Sequence, residues 1–139
     1  LVGSEMCIRD RLKEFKVGQK VWVRCIGDSA RGKTGKELIQ EWVVVKIGKK
    51  YVYAKPAESQ WTPFVFEIRE YAGKIRLVEK TTYAPDYLLY TTRKEIEDEI
   101  EAENTCRKLV QFFHQYPERN LTIEQIREIE KIVFGKKES

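Results

Sequence analysis

The sequence predicts an α+β fold: a small antiparallel β-barrel of about five strands followed by a C-terminal helical hairpin. Two observations carry this. Residues 15–79 alternate apolar and polar side chains with a period of two, the mark of half-buried strands. From Thr92 onward the period becomes helical, with an N-cap signal at each of two starts. Four or five short strands are too few for a sandwich and suit a sheet that closes on itself, leaving no exposed strand edge.

The first strand lies in KVGQKVWVRC, where Gly18 marks a turn. Val21, Val23 and Cys25 then share one face, and Lys20, Trp22 and Arg24 the other. In EWVVVKIGKKYVYAK a two-residue loop at Gly48-Lys49 joins two strands, with glycine in the first, positive-φ position. That register sets Val45 against Val52, Val43 against Ala54, Lys46 against Tyr51, Val44 against Tyr53 and Trp42 against Lys55. Directly opposed residues share a face, so one side becomes small and aliphatic and the other aromatic and cationic. PFVFEIR and KIRLVEK supply two further strands around a turn at Ala72-Gly73, and TTYAPDYLLY reads as irregular. Thr92 with Glu95 forms a capping box that opens a helix, whose middle, EAENTCRK, is weakly patterned and reads as solvated. Pro117 restricts Tyr116 and ends that helix. Thr122 with Gln125 opens the next, which runs to a cap at Gly135 before the frayed tail KKES. The barrel is expected over residues 12–91 and the hairpin over 92–135, packed on it as one unit.

A chain of 139 residues can bury one core. Its 42% hydrophobic and 35% charged content, with no apolar run near the roughly 18 residues of a membrane span, points to a soluble cytoplasmic protein without a membrane partner. Cys7, Cys25 and Cys106 are scattered and read as reduced thiols, and His114 is the one histidine. These observations point to no metal, no cofactor and no catalytic residue. The acidic run EIEDEIEAE points in several directions on a helix and reads as a solvated face. Residues 12–80 hold 15 Lys/Arg against 8 Asp/Glu, and residues 81–139 hold 9 against 12, so the barrel is the basic half. The opening stretch LVGSEMCIRDR, residues 1–11, resembles the translation of an adapter used in sequencing libraries, which implies a non-native segment.

Two features raise the question of a ligand. GDSARGKT, residues 27–34, fits the phosphate-loop pattern G-x-x-x-x-G-K-[ST]. That motif needs a parallel sheet, a helix starting at its Lys-Thr and a second strand ending in Asp. Gly35 follows Thr34 directly, and the next strand leads into a hairpin turn, so the expectation is a basic loop whose Arg31, Lys33 and Lys36 keep it soluble or touch phosphate without catalysis. The second feature is the outward set Trp22, Trp42, Tyr51 and Tyr53, with Lys20, Arg24, Lys46 and Lys55 among them. Rings interleaved with cations suit single-stranded nucleic acid, since bases stack on the rings while Lys and Arg neutralise phosphates. The competing expectation is that the C-terminal helices cover this face, which would leave Trp61 as the accessible large aromatic.

The order KVGQKVWV, VVVKIGKKYVYAK, YLLYTTRKEIEDEIE and LTIEQIREIEKIV resembles, over about residues 16–133, small β-barrel-domain proteins carried by phages and mobile elements of Gram-positive bacteria. The resemblance implies a fold and a bacterial setting, and it transfers no functional residues. The leading expectation is a non-enzymatic module that binds single-stranded RNA or DNA, with phosphate contacts from Arg31, Lys33, Lys36, Lys46, Lys49, Lys50 and Lys55 and stacking on Trp22, Trp42, Tyr51 and Tyr53. The alternatives are a protein-interaction module, such as an inhibitor of a host factor, and a phosphate-loop nucleotide hydrolase.

Overall fold

The structure, a computed structural model, describes residues 12–135. The adapter-like stretch and the KKES tail lie outside the described residues. Six strands follow one another: β1 (Lys20–Cys25), β2 (Ile39–Ile47), β3 (Tyr51–Pro56), β4 (Phe64–Tyr71), β5 (Lys74–Glu79) and β6 (Tyr87–Tyr90). Each pairs antiparallel with the next, and β1 also pairs with β6, so the backbone hydrogen bonds form a closed ring. Two helices come after the sheet, α1 (Arg93–Phe113) and α2 (Ile123–Phe134).

The sixth strand corrects the expectation of five. YLLY carries no alternation because Leu88 and Leu89 are both buried. Leu89 belongs to the interior cluster with Leu77, its partner on β5, while Leu88 pairs with Val78 on the opposite side of the sheet. That outer side is covered locally. The Arg93 guanidinium lies 5.6 Å from the Trp22 ring, which brings the first turn of α1 over the outside of β1, where Arg24 pairs with Leu88. Ile96, in that first turn, is fully buried, as Val78 and Leu88 are. A strand buried on both faces loses the period-two signal, which is why this one reads as irregular.

The hairpin between β2 and β3 also differs from expectation. Gly48 donates its N–H to the Tyr51 carbonyl at 2.8 Å, so the tip is Lys49-Lys50 rather than Gly48-Lys49, and Gly48 does not adopt positive φ. Beside the tip Lys46 opposes Tyr53 and Ile47 opposes Val52; beyond a bulge at Val45, Val44 opposes Ala54 and Trp42 opposes Pro56. The extra residue flips every side chain on the far side of it. Trp42 and Val44 therefore point inward, and Val43 moves to the outer side.

Inside the ring, Val21, Val23, Trp42, Val44, Val52, Ala54, Phe66, Leu77 and Leu89 form the core together with Leu12 and Phe15 from the segment before β1. Trp42 is 1% exposed, lies 5.0 Å from both the Phe64 and Tyr87 rings, and donates its indole N–H to Gln40 Oε1 at 2.9 Å. Both helices start near the sequence signals: the Glu95 N–H donates to Thr92 Oγ1 while the Glu95 carboxylate accepts from the Thr91 hydroxyl, and Thr122 and Gln125 exchange both bonds of a capping box. α1 ends before Tyr116, which adopts a left-handed conformation ahead of Pro117.

The described chain divides into two compact units, the first ending at Asp98 and the second beginning at Glu99. The first holds the closed sheet and the opening turns of α1. In the second, Leu109, Val110, Ile132, Val133 and Phe134 are exposed, and Phe112, Leu121, Ile126 and Ile129 are half-buried.

Candidate nucleic-acid interface

The outward side chains of β3 are Tyr51, Tyr53 and Lys55, because Val52 and Ala54 alternate with them into the core. Strand pairing extends this set sideways. Tyr53 is flanked by Lys46 on β2 and Val65 on β4, and beyond the last β4–β5 rung the Lys80 N–H donates to the Val65 carbonyl at 2.7 Å. One row across β2, β3 and β4 to the residue that follows β5 therefore reads Lys46, Tyr53, Val65, Lys80. Two lysines flank the tyrosines. Lys46 Nζ lies 5.1 Å from the centre of the Tyr53 ring, and Lys80 Nζ lies 4.5 Å from that of Tyr51 while donating to the Tyr51 hydroxyl at 3.1 Å. That hydrogen bond is the main reason the Lys80 ammonium is held above the usual lysine range, with the phenol's charge second. Lys55 Nζ donates to the Ser59 carbonyl at 3.0 Å, and Lys49 and Lys50 stand exposed at the adjoining hairpin tip.

The expected residues separate into three groups. Lys46, Lys49, Lys50, Tyr51, Tyr53 and Lys55 come together on β2, β3 and their tip. Trp22 faces outward as expected, but on β1, half-buried beneath Arg93 and apart from the tyrosines. Trp42, expected beside them, is in the core because the bulge at Val45 reverses its side. Arg31, Lys33 and Lys36 lie on the 26–38 connection at the opposite end of β2 from the hairpin tip. Lys80 was missed, since a single lysine after KIRLVE carries no signal until the register puts it beside Val65.

The GDSARGKT stretch is held in a different way from a phosphate loop. Its flanking strands, β1 and β2, are antiparallel neighbours, and short 3-10 turns at Gly27–Ala30 and Gly35–Leu38 stand in place of an α-helix. Backbone donors at its start meet residues of the β5–β6 connection: Ile26 N–H donates to the Asp86 carbonyl at 2.9 Å and Asp28 N–H to Asp86 Oδ1 at 3.2 Å. The Asp28 N–H is thereby taken up by a carboxylate oxygen of the same chain. Arg31 pairs with Asp28 at 2.9 Å, and Lys33 Nζ reaches Cys25 Sγ at 3.9 Å. The same connection carries Glu79 at its edge, whose carboxyl is pushed up mainly by burial and held by the Asp86 N–H at 2.9 Å. Burial likewise pushes up the Tyr87 hydroxyl.

Among the described residues, no group of His, Cys, Asp and Glu is placed to hold a metal ion, and no helix is long and apolar enough to cross a membrane. No curated protein and no solved structure matches the chain. Residues 5–138 match the family described as the phage ProQ C-terminal-like domain. That span takes in the closed sheet with its Tyr51–Tyr53 face and both helices, and the chain accordingly belongs to the phage ProQ C-terminal-like domain family.

Proposed function

We propose that the protein is a non-enzymatic module that binds single-stranded RNA or DNA across the outer face of β2, β3 and β4. The observation that carries this reading is the pair of tyrosines on β3, each with a lysine ammonium within 5.1 Å of its ring centre. Bases stack on such rings whatever their identity, and the adjoining ammonium groups neutralise the phosphates between them. The family's general association with RNA binding supports the same ligand class. A non-enzymatic role is supported by the engagement of the GDSARGKT donors with Asp86 and of Arg31 with Asp28. The phage-type family supports a phage setting, and the site of action in this reading is the cytoplasm of a Gram-positive bacterial host.

Replacing both Tyr51 and Tyr53 with Ala tests the reading. Each stacked base contributes about 1–3 kcal/mol, so the double variant is expected to bind a single-stranded oligonucleotide at least about tenfold more weakly in fluorescence anisotropy. Unchanged affinity in that variant would rule the face out. A second reading, docking on a host protein, is favoured by the exposed Ile132, Val133 and Phe134 of α2. It expects a stoichiometric partner whose capture survives nuclease, whereas the first reading expects capture to be lost.

A further inference from the structure

The up-and-down order of the closed sheet sends its connections alternately to its two ends. The tips at 48–50 and 72–73 share one end, and the three longer connections, 26–38, 57–63 and 80–86, share the other. Two of these longer connections leave the sheet side by side at the Val65–Lys80 hydrogen bond. Each then presents an aromatic side chain to solvent. Trp61, four residues before Val65, is 64% exposed, and Tyr83, three residues after Lys80, is 86% exposed.

Both segments are held by local hydrogen bonds that start from the tyrosine face. Lys55, the next outward residue after Tyr53, donates to the Ser59 carbonyl, and the Trp61 N–H donates to Ser59 Oγ at 2.9 Å. The Tyr83 N–H donates to Thr81 Oγ1 at 3.3 Å, directly after Lys80. Rings this exposed contribute little to the core, and function concentrates on loops that a rigid scaffold positions.

We propose that Trp61 and Tyr83 extend the β3 tyrosines into one track for a single-stranded nucleic acid, running from the Lys49-Lys50 tip over Tyr51 and Tyr53 to the far end of the sheet. The proposal rests on the reading of the β3 face as a nucleic-acid surface. Tyr51 and Tyr53, two residues apart on one strand, are spaced roughly 6.8 Å apart, room for one base each. Trp61 stands within roughly 14 Å of chain from Val65, so the loop rings continue the row rather than start another surface. The track then has four aromatic platforms, Tyr51, Tyr53, Trp61 and Tyr83, and the site is longer than β3 alone provides.

Fluorescence anisotropy with labelled oligouridylates of three and eight nucleotides, at low salt, tests this on the full chain. The wild type is expected to prefer the longer oligonucleotide. Trp61→Ala/Tyr83→Ala is expected to lose about tenfold or more on the eight-nucleotide probe and less than about twofold on the short one. Tyr51→Ala/Tyr53→Ala is expected to weaken both. If the loop variant binds the long probe as tightly as wild type while the strand variant loses both, the extension is overturned and the β3 reading stands. If the strand variant binds both probes as the wild type does, the β3 reading fails, and the track fails with it. A wild type that binds neither probe overturns both.

Discussion

Glu79 and Trp42 show how far one residue's behaviour depends on neighbours distant in the chain. Trp42 belongs to a run, EWVVVKI, whose alternation alone offers two opposite faces, and the bulge at Val45 selects between them. Nothing in the letters announces a bulge between two valines, so the tryptophan's side was illegible while its strand was plain. Glu79 is partly buried beside Asp86, and its carboxyl holds a proton to higher pH than an unfolded glutamate, first because of burial and then because of the Asp86 charge. Folding therefore takes up a proton, and the contribution of Glu79 to stability falls as pH rises from 4.5 through the raised folded-state value. Glu79→Gln keeps an oxygen for the Asp86 N–H and removes the titration. The urea midpoint of the variant relative to wild type is expected to rise between pH 4 and pH 7; a relative midpoint that falls over that range would contradict the burial argument.

At the scale of elements, the 26–38 connection is as informative as any strand. Its composition suggests a basic loop, and within it Gly27–Ala30 is a turn fixed onto Pro85-Asp86, with the Ser29 hydroxyl donating to the Ile26 and Asp86 carbonyls. Gly27 makes this possible. Its φ of +56° suits glycine, and a β-carbon there would stand 3.1 Å from both Asp86 Oδ1 and the Pro85 carbonyl oxygen. Gly35 has nearly the same φ, +55°, with nothing within 4 Å. Ala at either position meets the left-handed strain of roughly 1–2 kcal/mol, but only Gly27→Ala also displaces the turn. Gly27→Ala is expected to lower the unfolding midpoint more than Gly35→Ala and to expose residues 28–37 to limited proteolysis. Equal losses would mean that the docking against Asp86 adds nothing. The sequence made the strands legible through alternation and the helix starts through Thr92 and Thr122, since those signals are local. β6 and the Asp86 anchor depend on contacts between segments far apart in the chain, such as Trp22 with Tyr90 and Asp28 with Asp86, and local pattern carries no trace of them.

For the whole molecule, the division of charge sets how binding responds to salt. Residues 12–80 hold an excess of seven basic groups, and five lysines, Lys46, Lys49, Lys50, Lys55 and Lys80, border the tyrosine face or its tip. Counterion release from a single strand gives a slope of about −0.7 in log K against log salt for each phosphate neutralised, hence about −3.5 if all five engage. Lys49→Ala/Lys50→Ala is expected to make the slope shallower by about 1.4. Lys20, which lies on β1 and pairs with Glu41 at 3.5 Å, should leave it unchanged when replaced by Ala. The comparison separates a located interface from diffuse attraction. Net charge alone would make the loss follow the number of lysines removed wherever they stand, whereas a track on β3 makes it follow their place. Equal change per lysine at Lys20 and at the tip would therefore reduce the basic half of the molecule to a general polyanion attractor, and a slope near zero in the wild type would remove phosphate from the ligand altogether.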